Sequence, residues 1–114
     1  MITLQSAELL SFDLRLRMPF RYGIATLTEL PHAILRVTFE IDGTAHTGLA
    51  ADNLPPKWFT KNPAALPAEE IAEMIAVTRA AVANARGVRA ATPWGFWREL
   101  TAAQIVRAPT SQAV

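Results

Sequence analysis

Hydrophobic and polar residues alternate along residues 10–18, which predicts a half-buried β-strand. Residues 2–9 are compatible with an extension of this strand. Because the adjacent Leu9 and Leu10 are both apolar, the alternation changes phase there and indicates a bulge or a register change. The apolar side of the predicted strand carries Leu10, Phe12, Leu14, Leu16 and Met18, and the polar side carries Ser11, Asp13, Arg15 and Arg17.

Pro19 is predicted to end this strand, because proline has no N–H to donate to a central ladder. Residues 19–30 then read as a long connection that is rich in apolar and aromatic side chains. Loops of this length are usually functional or packed against another part of the protein. Alternation returns over residues 33–41 and predicts a second strand. Asp42-Gly43 follows directly, and this pair tolerates the positive φ angles of a tight hairpin turn.

A third strand is predicted over residues 44–51, antiparallel to the second. Residues 1–52 are therefore predicted to form a three-stranded antiparallel β-meander. Residues 53–67 contain four prolines, which prevent a continuous helix or strand, so a second long loop is expected there.

A small helical layer is predicted over residues 68–106, which makes the fold class α+β. Pro67 suits the start of the first helix, and Gly87 suits its end. Thr92-Pro93 predicts the start of a second helix. Residues 107–114 show no pattern and are expected to be a disordered tail.

Acidic residues near its start support the prediction of the first helix, and the spacing of apolar residues supports the prediction of both. Three acidic residues, Glu69, Glu70 and Glu73, are interpreted as charges near the positive end of the first helix dipole. Apolar faces are predicted on the first helix at Ile71, Met74, Ile75, Thr78, Val82 and Ala85, and on the second at Trp94, Trp97, Thr101 and Ile105, widened by Phe96, Leu100 and Ala103.

The composition is that of one globular domain: 114 residues, 51% hydrophobic, 18% charged, with a formal net charge of +1. This charge gives no electrostatic case for nucleic acid or acidic membranes as partners. The absence of cysteine excludes disulfides, a thiol nucleophile and Cys-ligated metals, and is typical of a reducing compartment. With no pattern typical of a signal peptide or a membrane helix, a cytoplasmic location is expected.

The sequence shows no convergent catalytic set. His32 and His46 fall in or beside adjacent predicted strands, but two histidines without a third ligand make a poor metal site. No nucleophile elbow and no glycine-rich phosphate loop is present. Lys57 and Lys61 flank Trp58-Phe59, a pair able to stack on a base, yet two lysines are too few for a nucleic-acid-binding stripe.

Topology places the two predicted loops together. In a three-stranded antiparallel meander the first and third strands run in the same direction, so the loops that follow them leave the same edge of the sheet. They would form a mixed apolar and cationic rim from Phe20, Arg21, Tyr22, Trp58, Phe59 and Lys61. Burial of Trp58 and Phe59 beneath the helices is an equally good interpretation of those two aromatics.

Four segments, in this order and spacing, carry a family resemblance: Met18 to Thr28 (MPFRYGIATLT), Ala33 to Val37 (AILRV), Asp42-Gly43, and Gly48 to Asp52 (GLAAD). The chain resembles the N-terminal capping domain of the enolase superfamily, in its mandelate racemase/muconate lactonizing enzyme branch. The resemblance covers about residues 2–106 and implies a capping domain over residues 1–106.

The resemblance also implies a function. Residues 19–28 and 50–61 look like the two specificity loops that close over the mouth of a (β/α)₈ barrel, in cis or in trans. The barrel abstracts a proton next to the carboxylate of a small substrate and holds Mg²⁺, so neither catalysis nor metal binding is expected of this chain alone. The residues implied in substrate contact are Phe20, Arg21, Tyr22, Ile24, Thr26, Asp52, Trp58 and Lys61.

Two other interpretations remain open. The chain fits an autonomous, non-enzymatic binding module on the same scaffold, dimeric through an edge strand or through the Trp94/Trp97 helix. A small enzyme that uses His32, His46 or Arg21 is the third and weakest interpretation, because these residues belong to no recognisable catalytic set.

Overall fold

The computed structural model describes residues 1–22, 25–56, 64 and 66–107. It is an α+β fold with one antiparallel sheet of four strands in the order β3-β2-β1-β4, together with two helices. The elements are β1 (Ile2–Tyr22), β2 (Ala25–Ile41), β3 (Thr44–Asn53), α1 (Pro67–Ala85), β4 (Arg89–Ala90) and α2 (Pro93–Arg107).

The β-meander predicted from the sequence is confirmed, but its first two strands are much longer than expected. Pro19 does not end β1, and residues 19–30 are not a loop, because β1 continues to Tyr22 and β2 begins at Ala25. Regular pairing breaks between Arg15, opposite Glu29, and Phe20, opposite Leu27. Residues 16–19 of β1 thus face Thr28 alone, and this irregular stretch accommodates a proline that cannot donate a ladder hydrogen bond.

The register change near the start of β1 lies between Leu4 and Ser6, not at Leu9–Leu10 as predicted. Leu9 pairs with Leu35, and Leu10 pairs with Ile34, without interruption. Since consecutive side chains of a strand point to opposite faces, both leucines find an apolar cross-strand neighbour. Two adjacent apolar residues therefore need no bulge where both faces of the sheet carry apolar side chains.

The turn between β2 and β3 forms as the sequence predicts. Asp42 has φ 50° and Gly43 has φ 84°, the left-handed geometry of a two-residue hairpin turn. Asp42 Oδ1 also accepts a hydrogen bond from the N-terminal ammonium of Met1 at 2.8 Å. Through this bond and the ammonium charge, the pKa of Asp42 is lowered.

The helices begin where the sequence predicts. Pro67 is the first residue of α1, and the Glu69 carboxylate accepts the Leu66 backbone N–H at 3.3 Å. Thr92 Oγ1 caps α2 by accepting the Gly95 N–H at 3.0 Å. Arg107, expected in the tail, is the last residue of α2, and residues 108–114 lie outside the described residues. No helix in the described part of the chain has both the length and the apolar character to cross a membrane.

The chain between the helices forms an element that the sequence analysis missed. The two residues of β4 pair with the start of β1, Ile2 opposite Ala90 and Thr3 opposite Arg89. A two-residue strand is too short to show alternation, so the sequence gives no signal for it. This pairing makes β1 an interior strand at its first residues.

The core lies at this end of the sheet. It consists of the buried residues Ile2, Ala85, Val88, Ala90 and Phe96, against which Leu4, Phe39, Ile41 and Leu100 pack. The rings of Phe39 and Phe96 meet edge to face, with centroids 5.3 Å apart, which is a favourable geometry for an aromatic pair.

The inward face of α2 differs from the predicted stripe. Trp94, Trp97 and Ile105 are exposed, whereas Phe96 is buried and Leu100 is half-buried. Phe96 and Leu100, predicted only to widen the stripe, face the sheet because Phe96 packs against Phe39. The two tryptophans instead stack on each other, with ring centroids 4.9 Å apart.

Replacing Gly43 by Ala tests the turn. No atom lies within 4 Å of an added Cβ, so the cost comes from the backbone, and we expect the free energy of unfolding to fall by about 1 kcal/mol. Gly87→Ala is the matched control, because the φ of Gly87 is not positive and its added Cβ makes only an ordinary 3.8 Å contact with the Asn84 carbonyl. Urea unfolding of both variants, followed by tryptophan fluorescence, checks this, and equal losses would contradict it.

Candidate ligand-binding groove

The chain leaves β1 and β3 toward the same end of the sheet, as the topological argument predicted. Both strands flank β2 antiparallel to it, and therefore run in the same direction. β3 ends at Asn53, opposite His32, while β1 and β2 continue beyond this point as a hairpin. We call residues 14–22 and 25–31 the hairpin arm. The chain after β3 turns against the arm, with the Leu54 N–H donating to the Pro31 carbonyl at 2.9 Å.

A groove of about 560 Å³ lies between the hairpin arm and the end of β3. It coincides with the stretch where residues 16–19 face Thr28 alone, because the extra residues of β1 cannot keep flat, regular pairing there. Its walls are mostly apolar, and the lining residues are Leu16, Met18, Phe20, Tyr22, Leu27, Leu30, Asp52, Asn53 and Pro55. A concave apolar surface with a few polar groups is typical of a small-molecule site.

The polar groups of the groove are clustered at the end of β3. The Asp52 carboxylate accepts the backbone N–H of Asn53 at 2.8 Å. Asn53 Oδ1 lies 2.7 Å from His32 Nδ1 in a cross-strand hydrogen bond, and the His32 ring lies 5.2 Å from the ring of Phe12. The groove therefore has an anionic, hydrogen-bonding end at β3 and an apolar remainder along the arm.

Tyr22 fixes the tip of the arm to the segment that follows β3. Its hydroxyl donates a hydrogen bond to the Pro56 carbonyl, and its ring lies 5.8 Å from the ring of Phe20. Burial raises the pKa of the Tyr22 hydroxyl, and the nearby Glu70 carboxylate raises it further. Tyr22 is therefore a protonated hydrogen-bond donor at neutral pH.

Glu70 has a different position from that predicted. It was grouped with Glu69 and Glu73 as a helix N-terminal charge, but Glu70 is buried whereas the other two are exposed. Glu70 lies four residues before the half-buried Met74, on the side of α1 that faces the protein. Its effect on Tyr22 shows that the start of α1 lies near the arm.

The structure brings three of the residues proposed for substrate contact into the groove: Phe20, Tyr22 and Asp52. Arg21 and Thr26 are cross-strand partners on the arm, are exposed, and do not line the groove. Alternation of side chains explains this, because Arg21 lies between Phe20 and Tyr22 and points to the other side of the strand. Ile24, Trp58 and Lys61 lie outside the described residues.

Sequence reasoning missed the groove residues Leu16 and Met18, which it assigned to the apolar face of a strand ending at Pro19. A signal was present: the period-two pattern continues past the proline, since every second residue from Leu14 to Tyr22 is apolar or aromatic. The rule that proline ends a ladder outweighed this pattern, although an irregular stretch of pairing satisfies both.

Metal binding finds no support in the described residues. His32 lies opposite Asn53 and His46 lies opposite Phe39, so the two histidines are seven residue pairs apart, about 24 Å along the sheet. Within residues 1–22, 25–56, 64 and 66–107, no three His, Asp or Glu side chains come together. In the family resemblance, Mg²⁺ belongs to the barrel and not to this chain.

The chain was compared with protein families, curated proteins and solved structures. No protein-family model, no curated protein and no solved structure matches the chain.

The titration of Tyr22 tests the geometry at the arm tip. Tyr22 is the only tyrosine in the sequence, so phenolate absorbance reports this residue alone. We expect its midpoint to lie above the usual value of about 10. Because the folded-state pKa is raised, the stability contributed by protonated Tyr22 is complete below pH of about 10 and is lost as pH rises through the folded-state pKa.

Two variants separate the two causes of the raised Tyr22 pKa, which are burial and the Glu70 charge. Glu70→Gln removes the nearby negative charge, so the titration midpoint should fall toward the usual value while the burial contribution remains. Glu73→Gln removes an exposed carboxylate from the same helix and should leave the midpoint unchanged. Equal shifts in the two variants would show that Glu70 has no specific contact with the arm.

Proposed function

We propose that this chain is a capping domain that selects the distal group of a small carboxylate substrate. In this proposal the hairpin arm and the segment after β3 close over the mouth of a Mg²⁺-dependent (β/α)₈ barrel, supplied by the same polypeptide or by another. The barrel removes the proton next to the carboxylate, and this chain orients the substrate and excludes water.

The groove between the hairpin arm and the end of β3 is the observation that carries this proposal. Both segments with which a cap of this type contacts its substrate border it: residues 19–28 through Phe20, Tyr22 and Leu27, and residues 50–61 through Asp52, Asn53 and Pro55. The mostly apolar walls suit an aliphatic or aromatic group better than a charged one.

The charge of the groove sets the orientation of the substrate. Asp52 places a negative charge at the groove, and no Lys or Arg is among the lining residues that the structure describes. A substrate carboxylate is repelled from Asp52 and points out of the groove, whereas the distal group of the substrate enters it. This orientation directs the carboxylate toward the barrel, where the metal is expected.

The sheet carries apolar surface that suits docking to a larger partner. Phe12 is 49% exposed, Leu10 is 40% exposed, and both project from the same side of β1. Their cross-strand partners, His32 and Ile34, are only half-buried. Contiguous exposed apolar side chains mark interaction surfaces in soluble proteins.

Binding of small aromatic probes tests the proposal. We expect benzyl alcohol to bind the purified chain at least as tightly as phenylacetate, because Asp52 disfavours a carboxylate at the groove. Phe20→Ala should weaken benzyl alcohol binding by about tenfold, which corresponds to losing one aromatic contact of roughly 1.4 kcal/mol. Ligand-observed NMR titrations measure both affinities.

Phe12→Ala is the matched control for this experiment. Phe12 is exposed to a similar extent as Phe20, 49% against 55%, but it does not line the groove. The Phe12→Ala variant should bind benzyl alcohol as tightly as the wild-type chain does. Added Mg²⁺ should not change benzyl alcohol binding by the chain alone. Equal loss in the two phenylalanine variants, or a preference for phenylacetate, would contradict the assignment of the groove to a distal apolar group.

A further inference from the structure

β3 is an edge strand that is exposed along its whole length. All ten residues from Thr44 to Asn53 are exposed, and the strand pairs with β2 on one side. In the described part of the chain, nothing pairs with its outer side. A strand of this length presents about five backbone N–H and five C=O groups on that side.

The usual protections of an edge strand are missing from β3. Its sequence, TAHTGLAADN, contains no proline, lysine or arginine, and Asp52 near its end is the only acidic residue. The β2–β3 register runs without a shift from Ile41, opposite Thr44, to His32, opposite Asn53. A long, regular and nearly uncharged edge is a ready surface for the addition of another strand.

We infer that two copies of this chain pair antiparallel through β3, with the twofold axis at Leu49. The result is one continuous sheet with four strands from each copy. The dimer itself does not depend on the ligand proposed above. It does bring a residue of the second copy to the edge of each groove.

Symmetry limits the register of this pairing. Directly opposite residues of an antiparallel pair point to the same face of the sheet. A twofold axis perpendicular to the sheet must therefore place one residue directly opposite its own copy, because neighbouring residues of a strand point to different faces. The longest overlaps come from axes at Gly48 and at Leu49, which pair residues 44–52 and residues 45–53 with themselves.

Side-chain chemistry favours the axis at Leu49. This register places Leu49 opposite Leu49 of the second copy, and it places His46 opposite Asp52 twice, once on each side of the axis. Both contacts are favourable as cross-strand pairs. The axis at Gly48 instead places glycine opposite glycine and aligns His46 with Ala50, so neither interaction forms.

The two contacts lie on different faces of the sheet. His46 and Asp52 are opposite Phe39 and Ala33 of β2, on the face that packs against α2 through Phe39 and Phe96. Leu49 lies opposite Arg36 on the other face and is 70% exposed. Because Asp52 lines the groove, the pairing places the His46 imidazole of the second copy beside the anionic end of the groove.

Light scattering on the full chain tests the dimer. An interface of one strand pair is small, so we expect a species of twice the 12.5 kDa chain mass at roughly 200 µM and dissociation on dilution. Leu49→Lys puts like charges on the axis and should abolish the dimer. Ile105→Lys, at a residue 61% exposed on α2, is the matched control and should leave the dimer intact.

Cysteine cross-linking tests the register, and remains informative if Leu49→Lys fails to fold. The sequence has no cysteine, so each single-cysteine variant gives an unambiguous product. Leu49→Cys places two thiols directly opposite each other, and mild oxidation should produce a covalent dimer. Thr47→Cys, on the same face, places its thiols about 14 Å apart, too far for a disulfide.

The outcomes separate this inference from the proposed function. A monomeric wild-type chain, a dimer that persists in Leu49→Lys, or equally fast cross-linking at residues 47 and 49 would overturn the β3 pairing. Phe20→Ala, which is expected to lose benzyl alcohol binding, should remain fully dimeric. Loss of probe binding in Phe20→Ala without loss of the dimer supports both proposals independently.

Discussion

In the described part of the chain, one cluster of apolar side chains joins the helices to the sheet. It brings together the start of β1, the end of α1, β4 and the first turns of α2, through Ile2, Ala85, Val88, Ala90 and Phe96. Burial of a large apolar side chain contributes about 1.5–3 kcal/mol, so Ile2, Val88 and Phe96 each stabilise this cluster. The position of the helical layer relative to the sheet follows from this cluster.

The cluster lies at one end of the sheet, and the hairpin arm lies at the other. There the β1–β2 pairing is held by its ladder, by the Tyr22–Pro56 hydrogen bond and by the turn of the chain at Leu54 against Pro31. The interruption between Arg15 and Phe20 breaks the regular pairing of the arm where Leu16 and Met18 line the groove. Core and groove thus occupy separate ends of the same strands, and a change in the lining of the groove need not disturb the core.

Local signals made much of the fold predictable. The Asp42-Gly43 turn, the proline at the start of each helix and the Thr92 cap act over a few residues, and each is found where the sequence places it. It was also predictable that β1 and β3 run toward the same end of the sheet, since this follows from the order of antiparallel strands alone.

Features that depend on distant partners were not predictable. The side of α2 that faces the sheet depends on Phe39, which is far away in the sequence, and β4 exists only because Ile2 and Thr3 offer it a partner. Residues 19–30 were predicted as a loop because a proline rule that holds for regular ladders was applied to an irregular one. Burial of Glu70 likewise depends on how α1 lies against the rest of the protein, which charge patterning does not reveal.

The composition of the core has a consequence for how the chain folds during synthesis. Ile2 packs against residues as distant in sequence as Ala90 and Phe96. The core therefore cannot form until almost the whole described chain has left the ribosome. The two hairpins, whose partners are close in sequence, can form much earlier. Until α2 emerges, Phe39 of the sheet has no Phe96 to pack against, and the apolar side chains around it stay exposed. Exposed apolar surface and unpaired strand edges of this kind make partly folded chains prone to aggregation, so the emergence of α2 ends the period of greatest exposure.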